Sequence, residues 1–201
     1  MKDYALFYSY KGIGDVLIII FDGGLSTTKT ETHGKVTVIY HEEEIIGYNI
    51  FDIKDVVRIR SNGLIYYPSE QFLNVVNSIL INEKLPTLEK KEHSGYFIGD
   101  VLDIKKIAND KSLVVIDSGK EHINAIINET SLSKGNKVVC AQAGTYLNNG
   151  QIVRNYQLDN IAINVHICTN RELGINEEDN ILVLEGDENI GTDFFLLEES
   201  L

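Results

Sequence analysis

Short runs of β-branched and aromatic residues, separated by glycine-containing turns, fill most of the first part of the chain. Such runs are typical of strands in a small sheet. One later segment differs, because its apolar residues recur at spacings of three and four after Ser69, a good helix N-cap. The pattern predicts an α+β domain over residues 1–82. Its strands are predicted at 4–10, 16–21, 35–40, 45–50 and 56–60, and the covering face of its helix is predicted to contain Phe72, Val75, Val76, Ile79 and Leu80.

A charged stretch follows the predicted helix. Residues 83–93 (EKLPTLEKKEH) contain Pro86, one of only two prolines in the chain, and show no hydrophobic period. Charged, proline-containing segments without periodicity are typical of linkers between domains. We therefore predict a linker over residues 83–93.

From Ser94 onward, the pattern predicts an all-β domain. Short apolar runs follow one another at even spacing, with turn sequences such as DSGK at 117–120 and NNG at 148–150 between them. Several short strands in about eighty residues are typical of an OB-type five-stranded β-barrel. We predict such a domain over residues 94–201, ending in an acidic C-terminal tail. Its strands are predicted at 96–104, 113–116, 123–127, 137–141, 152–156 and 165–168, with a helical turn at 169–173.

The composition is that of an ordinary globular protein, because 43% of the 201 residues are hydrophobic and 24% are charged. Two cysteines, Cys140 and Cys168, are too few for a disulfide framework in a chain of this length, so buried free thiols are expected. The first residues lack a secretory pattern, and the longest apolar run, 16–21, is too short to cross a bilayer. We expect a cytoplasmic protein without a membrane partner.

The net charge of −12 argues against strong, promiscuous RNA binding, because phosphate contacts need Lys and Arg. The charge is distributed unevenly. From Ser94 to Arg171 there are eight Lys or Arg against seven Asp or Glu, whereas residues 172–201 contain many carboxylates and no Lys or Arg. The local field decides whether a surface can dock a polyanion, so the near-neutral part of the domain remains a candidate.

No group of residues has the spacing of an active site or a metal site. Residues 12–15 (GIGD) precede a predicted strand and favour a turn over a dinucleotide fingerprint. His166 and Cys168 share a strand face, but two ligands do not close a zinc site. Residues 187–198 depart from a calcium loop at Gly191 and Thr192. We expect no enzyme activity, no metal and no cofactor.

Several short motifs give the chain a family resemblance along nearly its full length, in order. They are GD at 14–15, HG at 33–34 and GYNIF at 47–51, followed by GY at 95–96, GNKV at 135–138, AG at 143–144, ICTNRELGI at 167–175 and ILVLEGD at 181–187. With these motifs the chain resembles the YtpR-type tRNA-binding proteins. These proteins join a small N-terminal domain to the OB module that also occurs near the start of the phenylalanyl-tRNA synthetase beta subunit.

The resemblance implies binding of tRNA or another structured RNA, and it is weaker in the RNA-binding motifs than in the scaffold. The family pattern His-Pro-x-Ala-Asp-Lys-Leu falls on residues 107–113 (IANDKSL), and Arg-Gly-Val-x-Ser-x-Gly-Met falls on residues 159–166 (DNIAINVH). The Asn-rich strand end that contacts RNA in the family falls on residues 128–131 (NETS). A homodimer is also consistent with the family.

Nucleic acid binds OB barrels on the face of the second and third strands and the flanking loops. Lysines would contact phosphates there, Arg could make forked contacts, and Asn could read an exposed base edge. By predicted position, the RNA-binding candidates are Lys105, Lys106, Lys111, Lys120, Asn128, Arg154, Asn164 and His166. The alternative is a protein-interaction or dimerisation module on an OB scaffold that has lost RNA binding. Exposed lysines and a strand histidine are compatible with both.

Overall fold

The computed structural model describes residues 4–108, 110–128 and 132–198. The described chain is mostly β, and its strands form antiparallel sheets. Contacts divide the chain into two compact parts, Met1–Glu92 and His93–Leu201, which we call unit 1 and unit 2.

Unit 1 contains a six-stranded antiparallel sheet. Its strands are β1 (Ala5–Tyr8), β2 (Val16–Ile20), β3 (Lys29–His33), β4 (Val36–His41), β5 (Glu44–Phe51) and β6 (Gly63–Ile65), and its helices are α1 (Tyr10–Ile13) and α2 (Glu70–Asn82). The strand order is β3-β4-β5-β2-β1-β6. Strands β2 and β4 alternate between buried and partly exposed residues, because one face of the sheet covers the core.

The predicted helix is confirmed as α2. The Ser69 hydroxyl accepts a hydrogen bond from the Phe72 N–H at 3.2 Å, as an N-cap does. Leu73, Val76 and Leu80 are buried at spacings of three and four, so this face of α2 packs against the core of unit 1.

Residues 56–60 were predicted as a strand and do not form one. Asp52 has a φ of 51°, and a 3₁₀ turn over Ile53–Asp55 follows it. The N–H groups of Val56 and Val57 both donate to the Ile53 carbonyl at 3.1 Å, so they are not available to a neighbouring strand. The edges of the sheet are instead β3 and β6, which the hydrophobic pattern did not reveal because β3 is polar and β6 has only three residues.

The stretch predicted as a linker is bonded to unit 1. The Asn77 amide brackets Leu88, donating to its carbonyl and accepting from its N–H, both at 2.8 Å. Leu88 is buried in the core of unit 1, and the Tyr4 hydroxyl donates to the Glu89 carbonyl at 2.7 Å. We call residues 86–92 the strap. Because several residues around Leu88 are charged, the sequence pattern did not indicate that Leu88 is buried, and it suggested a linker.

Unit 2 is built on a six-stranded antiparallel sheet and a separate two-stranded hairpin. Its strands are β7 (Tyr96–Ala108), β8 (Lys111–Asp117), β9 (His122–Asn128), β10 (Lys137–Gln142), β11 (Tyr156–Leu158), β12 (Ile161–Ile163), β13 (Val165–Ile167) and β14 (Val183–Leu184). The order of the main sheet is β13-β10-β7-β8-β9, with β14 paired to β10, and β11 and β12 form a separate hairpin. Its core includes Val101, Val114, Ile116 and Val138.

The two edge strands of this sheet, β9 and β13, lie beside each other. The Asn164 N–H, just before β13, donates to the Asn124 carbonyl in β9 at 3.0 Å. Among the described residues no ladder of paired strands continues from this bond, so a closed barrel is not formed. We call this junction between β9 and β13 the seam.

The β11–β12 hairpin takes the place of a strand predicted at 152–156. Ile152 forms only an isolated bridge with Tyr146. The chain then pairs Leu158 with Ile161 across a turn in which Asp159 and Asn160 have φ values of 49° and 65°. Two consecutive residues at positive φ are typical of tight hairpin turns, and Asp and Asn tolerate this conformation.

The acidic C-terminal stretch is part of unit 2 over its described length. Strand β14 pairs with β10, and the Lys137 ammonium donates to the carbonyls of Gly186 and Glu188 at 3.1 and 2.7 Å. The Gly191 N–H donates to the Ile98 carbonyl at 2.7 Å. A short helix, α3 (Phe194–Glu198), follows. The carboxylates predicted as a tail therefore lie on an ordered segment beside β7 and β10.

Candidate nucleic-acid interface

Four of the predicted RNA-binding residues lie together at one end of the β7–β8–β9 sheet. Lys111, the first residue of β8, is the cross-strand partner of Asn128, the last residue of β9. Lys105 in β7 pairs with Leu113, two residues along β8 from Lys111. These side chains are exposed, and so is Lys106, which follows Lys105 in β7 and therefore projects from the opposite face of the strand. We call this group, Lys105, Lys106, Lys111 and Asn128, the lysine end. Asn109 and residues 129–131, which belong to the motif stretches noted above, lie outside the described residues.

Two other predicted residues line a cleft at the seam. Lys120 lines it from the turn between β8 and β9, and Asn164 lines it from the position just before β13. The cleft has a volume of about 430 Å³, and we call it the seam cleft. Its polar lining also includes Gln142, Asn155, Glu121 and Asp193. Three amides and a lysine around one opening can donate to and accept from the edge of a base.

Strand β9 runs between the lysine end and the seam cleft. Its seven residues span about 20 Å at the usual rise of a strand. Alternate positions, starting from Asn128, are occupied by Ile126, Asn124 and His122. No residue of β9 is acidic. The strand itself, which we call the track, carries no carboxylate, but Asp117 in β8 is the cross-strand partner of His122, and the exposed Asp110 precedes Lys111.

The carboxylates of the seam cleft differ in how far they are neutralised. Asp193 accepts hydrogen bonds from the Ser94 N–H at 2.6 Å, from the Ser94 hydroxyl at 2.7 Å and from the Phe195 N–H at 3.1 Å. These local hydrogen-bond donors therefore stabilise the negative charge of Asp193. Glu121 lies next to Lys120 in the same exposed turn. With one lysine and two carboxylates, the lining of the cleft has no excess positive charge, which fits neutral hydrogen-bonding groups better than a phosphate.

His166 is bonded within the protein. Its Nε2 lies 3.0 Å from both carboxylate oxygens of Glu172. The same carboxylate accepts from the Thr169 N–H at 2.9 Å, while the Glu172 N–H donates to the Thr169 hydroxyl at 3.3 Å, a reciprocal capping arrangement. Burial would raise the pKa of Glu172, but hydrogen bonds from His166 and Thr169 outweigh it and lower the pKa. His166 therefore has a structural partner in Glu172, while its side chain remains 37% exposed.

Arg154 is exposed and lies just before the β11–β12 hairpin. The next two residues were not predicted: Asn155 lines the seam cleft, and Tyr156 is half exposed. An exposed tyrosine beside an arginine can stack a base while the guanidinium contacts a phosphate. The sequence signal was the adjacency of the cation, the amide and the aromatic ring in RNY at 154–156.

The described residues contain no cluster of three or more His, Cys, Asp or Glu side chains placed to hold a metal ion. Cys140 and Cys168 are both free and fully buried, and burial raises the pKa of both thiols. Thiols in this state are poor nucleophiles. Over the part of the chain that the structure describes, no helix is long and apolar enough to cross a membrane.

Comparison with known proteins agrees with the resemblance carried by the motifs. Residues 24–87 match a family described as a domain of unknown function (DUF4479), and this range lies in unit 1. A Bacillus subtilis (strain 168) protein named "Putative tRNA-binding protein YtpR" is 31% identical to the chain over 197 residues, which cover 94% of the chain and 98% of that relative. Because the match runs through both units and almost the whole relative, the chain belongs to the YtpR family.

Proposed function

We propose that the protein is a non-catalytic, cytoplasmic RNA-binding protein that binds tRNA or another structured RNA through unit 2. The name of the Bacillus subtilis relative supports this substrate class. We also propose that unit 2 is an OB-type barrel that is open at the seam. The strand order β9-β8-β7-β10-β13, with its two ends bonded at Asn124 and Asn164, supports this architecture.

One arrangement carries the proposal: the lysine end and the seam cleft are joined by a strand that has no carboxylate. The lysines would act as point charges on successive phosphates. The amides of Asn155, Asn164 and Gln142 would hydrogen-bond to the edge of an unpaired base in the cleft. A track of about 20 Å is consistent with binding sites of roughly 4 to 16 nucleotides per OB fold.

The experiment that tests this proposal is a filter-binding titration of bulk tRNA at several salt concentrations. The parent chain is compared with a Lys105→Ala, Lys106→Ala, Lys111→Ala triple variant. Each lost phosphate contact should lower the slope of log affinity against log salt by roughly 0.7 to 0.9. The triple variant should therefore show a visibly flatter salt dependence and weaker binding at low salt.

A matched control removes the same total charge from unit 1, with Lys11→Ala, Lys29→Ala and Lys54→Ala in one chain. This variant should keep the salt dependence of the parent. Equal losses in both triple variants would show that only the net charge matters and would contradict a site in unit 2. A parent chain that binds no tRNA at low salt would favour the protein-interaction or dimerisation alternative.

A further inference from the structure

The core of unit 1 lies on one face of its six-stranded sheet. Helix α2 packs there together with Leu17, Ile19 and Tyr48. Because side chains alternate along a strand, the residues next to these belong to the opposite face, which we call the open face. Residues of β2, β4 and β5 on the open face are partly or fully exposed, and they belong to the hydrophobic core of neither unit. They are Val16, Ile18, Ile20, Thr37, Ile39 and Phe51.

The open face is apolar and uncharged. Strands β1 (ALFY), β2 (VLIII) and β6 (GLI) contain no charged residue, and the only carboxylate in β4 and β5 is Glu44, beside the turn that joins them. On the edge strand β3, Lys29 and Glu31 alternate to the core side, which leaves Thr30 and Thr32 on the open face. A continuous apolar run such as β2 is typical of a strand buried on both sides. In a chain with 24% charged residues, this face indicates a contact surface.

An unpaired acceptor lies at the centre of the open face. Strands β5 and β2 are the middle of the six-stranded order, and Asn49 in β5 lies between Ile18 in β2 and Thr37 in β4. The Asn49 Oδ1 is buried and accepts no hydrogen bond from the described residues, although Asn49 as a whole is partly exposed. A buried acceptor without a donor is destabilising, so this amide indicates a donor from outside the chain.

The positions around Asn49, within the GYNIF motif at 47–51, are complementary to themselves. Phe51 is 41% exposed two residues after Asn49, and Gly47 comes two residues before it, so all three belong to the open face. Gly47 has no side chain, and its strand partners Ile20 and Ile39 flank a low point. A two-fold axis that crosses the strands at Asn49 places each Phe51 ring over the Gly47 position of the other copy. The two Asn49 amides then exchange a donor and an acceptor.

We propose that the open face of unit 1 binds the open face of a second copy of the chain. Six strands about 4.8 Å apart, with about five residues each at 3.3 Å per residue, give a footprint of roughly 500 Å² per copy. The roughly 1,000 Å² from two copies is the lower limit for a specific interface and corresponds to a moderate affinity. The net charge of −12 opposes association, but the contact itself is uncharged, so added salt should strengthen the dimer.

The test is sedimentation equilibrium of the full chain over about 1 to 200 μM, at low and physiological salt. The parent should form a dimer of twice the chain mass of 22.6 kDa, with a Kd of about 10 μM. Phe51→Lys places an ammonium group in the contact and should weaken the dimer about 100-fold or more. Ile81→Lys is the matched control, because Ile81 is 61% exposed on α2, on the other side of the sheet. It should leave the dimer unchanged.

A second measurement tests the position of the axis. Thr37 is the strand partner of Asn49, so it lies on the line of the proposed axis and faces Thr37 of the second copy. Oxidation of Thr37→Cys should therefore give a disulfide-linked dimer on a non-reducing gel. Ser78→Cys, an exposed position on α2, should not. The native thiols, Cys140 and Cys168, are both buried.

Three results would overturn the dimer. A parent chain that stays monomeric over the whole range excludes a second copy and leaves the open face to a different protein. A Phe51→Lys variant with the circular dichroism spectrum and melting temperature of the parent that dimerises equally well would place the contact elsewhere. An equal loss in Ile81→Lys would show an effect of charge alone. If Phe51→Lys loses stability, Phe51→Ala replaces it and should weaken the dimer about tenfold.

The inference is independent of the proposed RNA site. The Lys105, Lys106, Lys111 triple-alanine variant should dimerise as the parent does, and Phe51→Lys should keep the lysine end and the seam cleft of unit 2 intact. A failure of one proposal is therefore distinguishable from a failure of the other.

Discussion

Replacing Glu172 with Gln tests whether the motif at residues 167–175 is structural. The carboxylate accepts hydrogen bonds from His166 and from both donors of Thr169, and its side chain is only 15% exposed. Hydrogen bonds to a charged group are each worth about 1.5 to 3 kcal/mol, and loss of a cap costs about 1 kcal/mol. Since glutamine keeps one acceptor oxygen, we expect the free energy of unfolding of unit 2 to fall by about 2 kcal/mol.

The pH dependence of this loss follows from the lowered pKa of Glu172. A carboxyl group with a lower pKa in the folded state stabilises the fold above its unfolded pKa. That contribution disappears as the pH falls through the folded pKa. The parent should therefore exceed Glu172→Gln in stability at neutral pH, and the difference should shrink once the pH falls below the ordinary carboxyl value of 4.5.

The stability of unit 2 can be measured separately from that of unit 1 by following hydrogen–deuterium exchange of peptides from β10 and β13 at increasing urea concentrations. Glu177→Gln is the matched control, because Glu177 is an exposed carboxylate on the following loop. His166→Ala should lose stability in the same direction, and the double variant with Glu172→Gln should lose less than the sum. A Glu172→Gln variant as stable as the control, or one that loses tRNA affinity at unchanged stability, would refute the structural role.

Three further predictions concern unit 2. Tyr156→Ala should lower tRNA affinity about fivefold or more, measured by filter binding, without a change in melting temperature, because it removes one stacking surface. In urea unfolding, Gly191→Ala should lower the free energy of unfolding by about 2 to 4 kcal/mol and Gly135→Ala by about 1 kcal/mol. Both glycines have positive φ, but only at Gly191 would the added Cβ lie 2.6 Å from a carbonyl oxygen. Cys140 and Cys168 should react with a thiol reagent only after denaturation, and modification of the native protein at the unfolded rate would contradict their burial.

Local features of the fold could be predicted from the sequence because their causes are local. The Ser69 cap and the helix after it depend on neighbouring residues only. The 56–60 segment (VVRIR) has strand composition, yet a preceding turn at positive φ decides its conformation. Local hydrogen bonding overrides the strand propensity of this segment, because the Ile53 carbonyl accepts the N–H groups of Val56 and Val57 that a strand would need for pairing.

The candidate site was predicted only in part, because it depends on contacts distant in sequence. The lysine end could be predicted, since Lys105 and Lys111 flank one hairpin. The seam cleft is lined by residues from six separate segments of the chain, and hydrophobic periodicity cannot predict which distant segments meet. The role of His166 on the binding surface stays a prediction, and the sequence did not reveal that its Nε2 is hydrogen-bonded to the carboxylate of Glu172.

The net charge of −12 is compatible with RNA binding if the carboxylates are distant or neutralised where the RNA lies. Beyond about 8 Å at physiological salt, exposed charges are largely screened, so the immediate surroundings of the track decide. Strand β9 itself contains no acid and Asp193 in the cleft is held by several donors, whereas Asp110, Asp117 and Glu121 lie beside the track. Phosphate attraction by a few lysines alone would then be weak, and amide contacts to unpaired bases must supply the remaining affinity. Under the proposed function, duplex RNA, which offers charge without accessible bases, should bind less well than a folded RNA with open loops or ends.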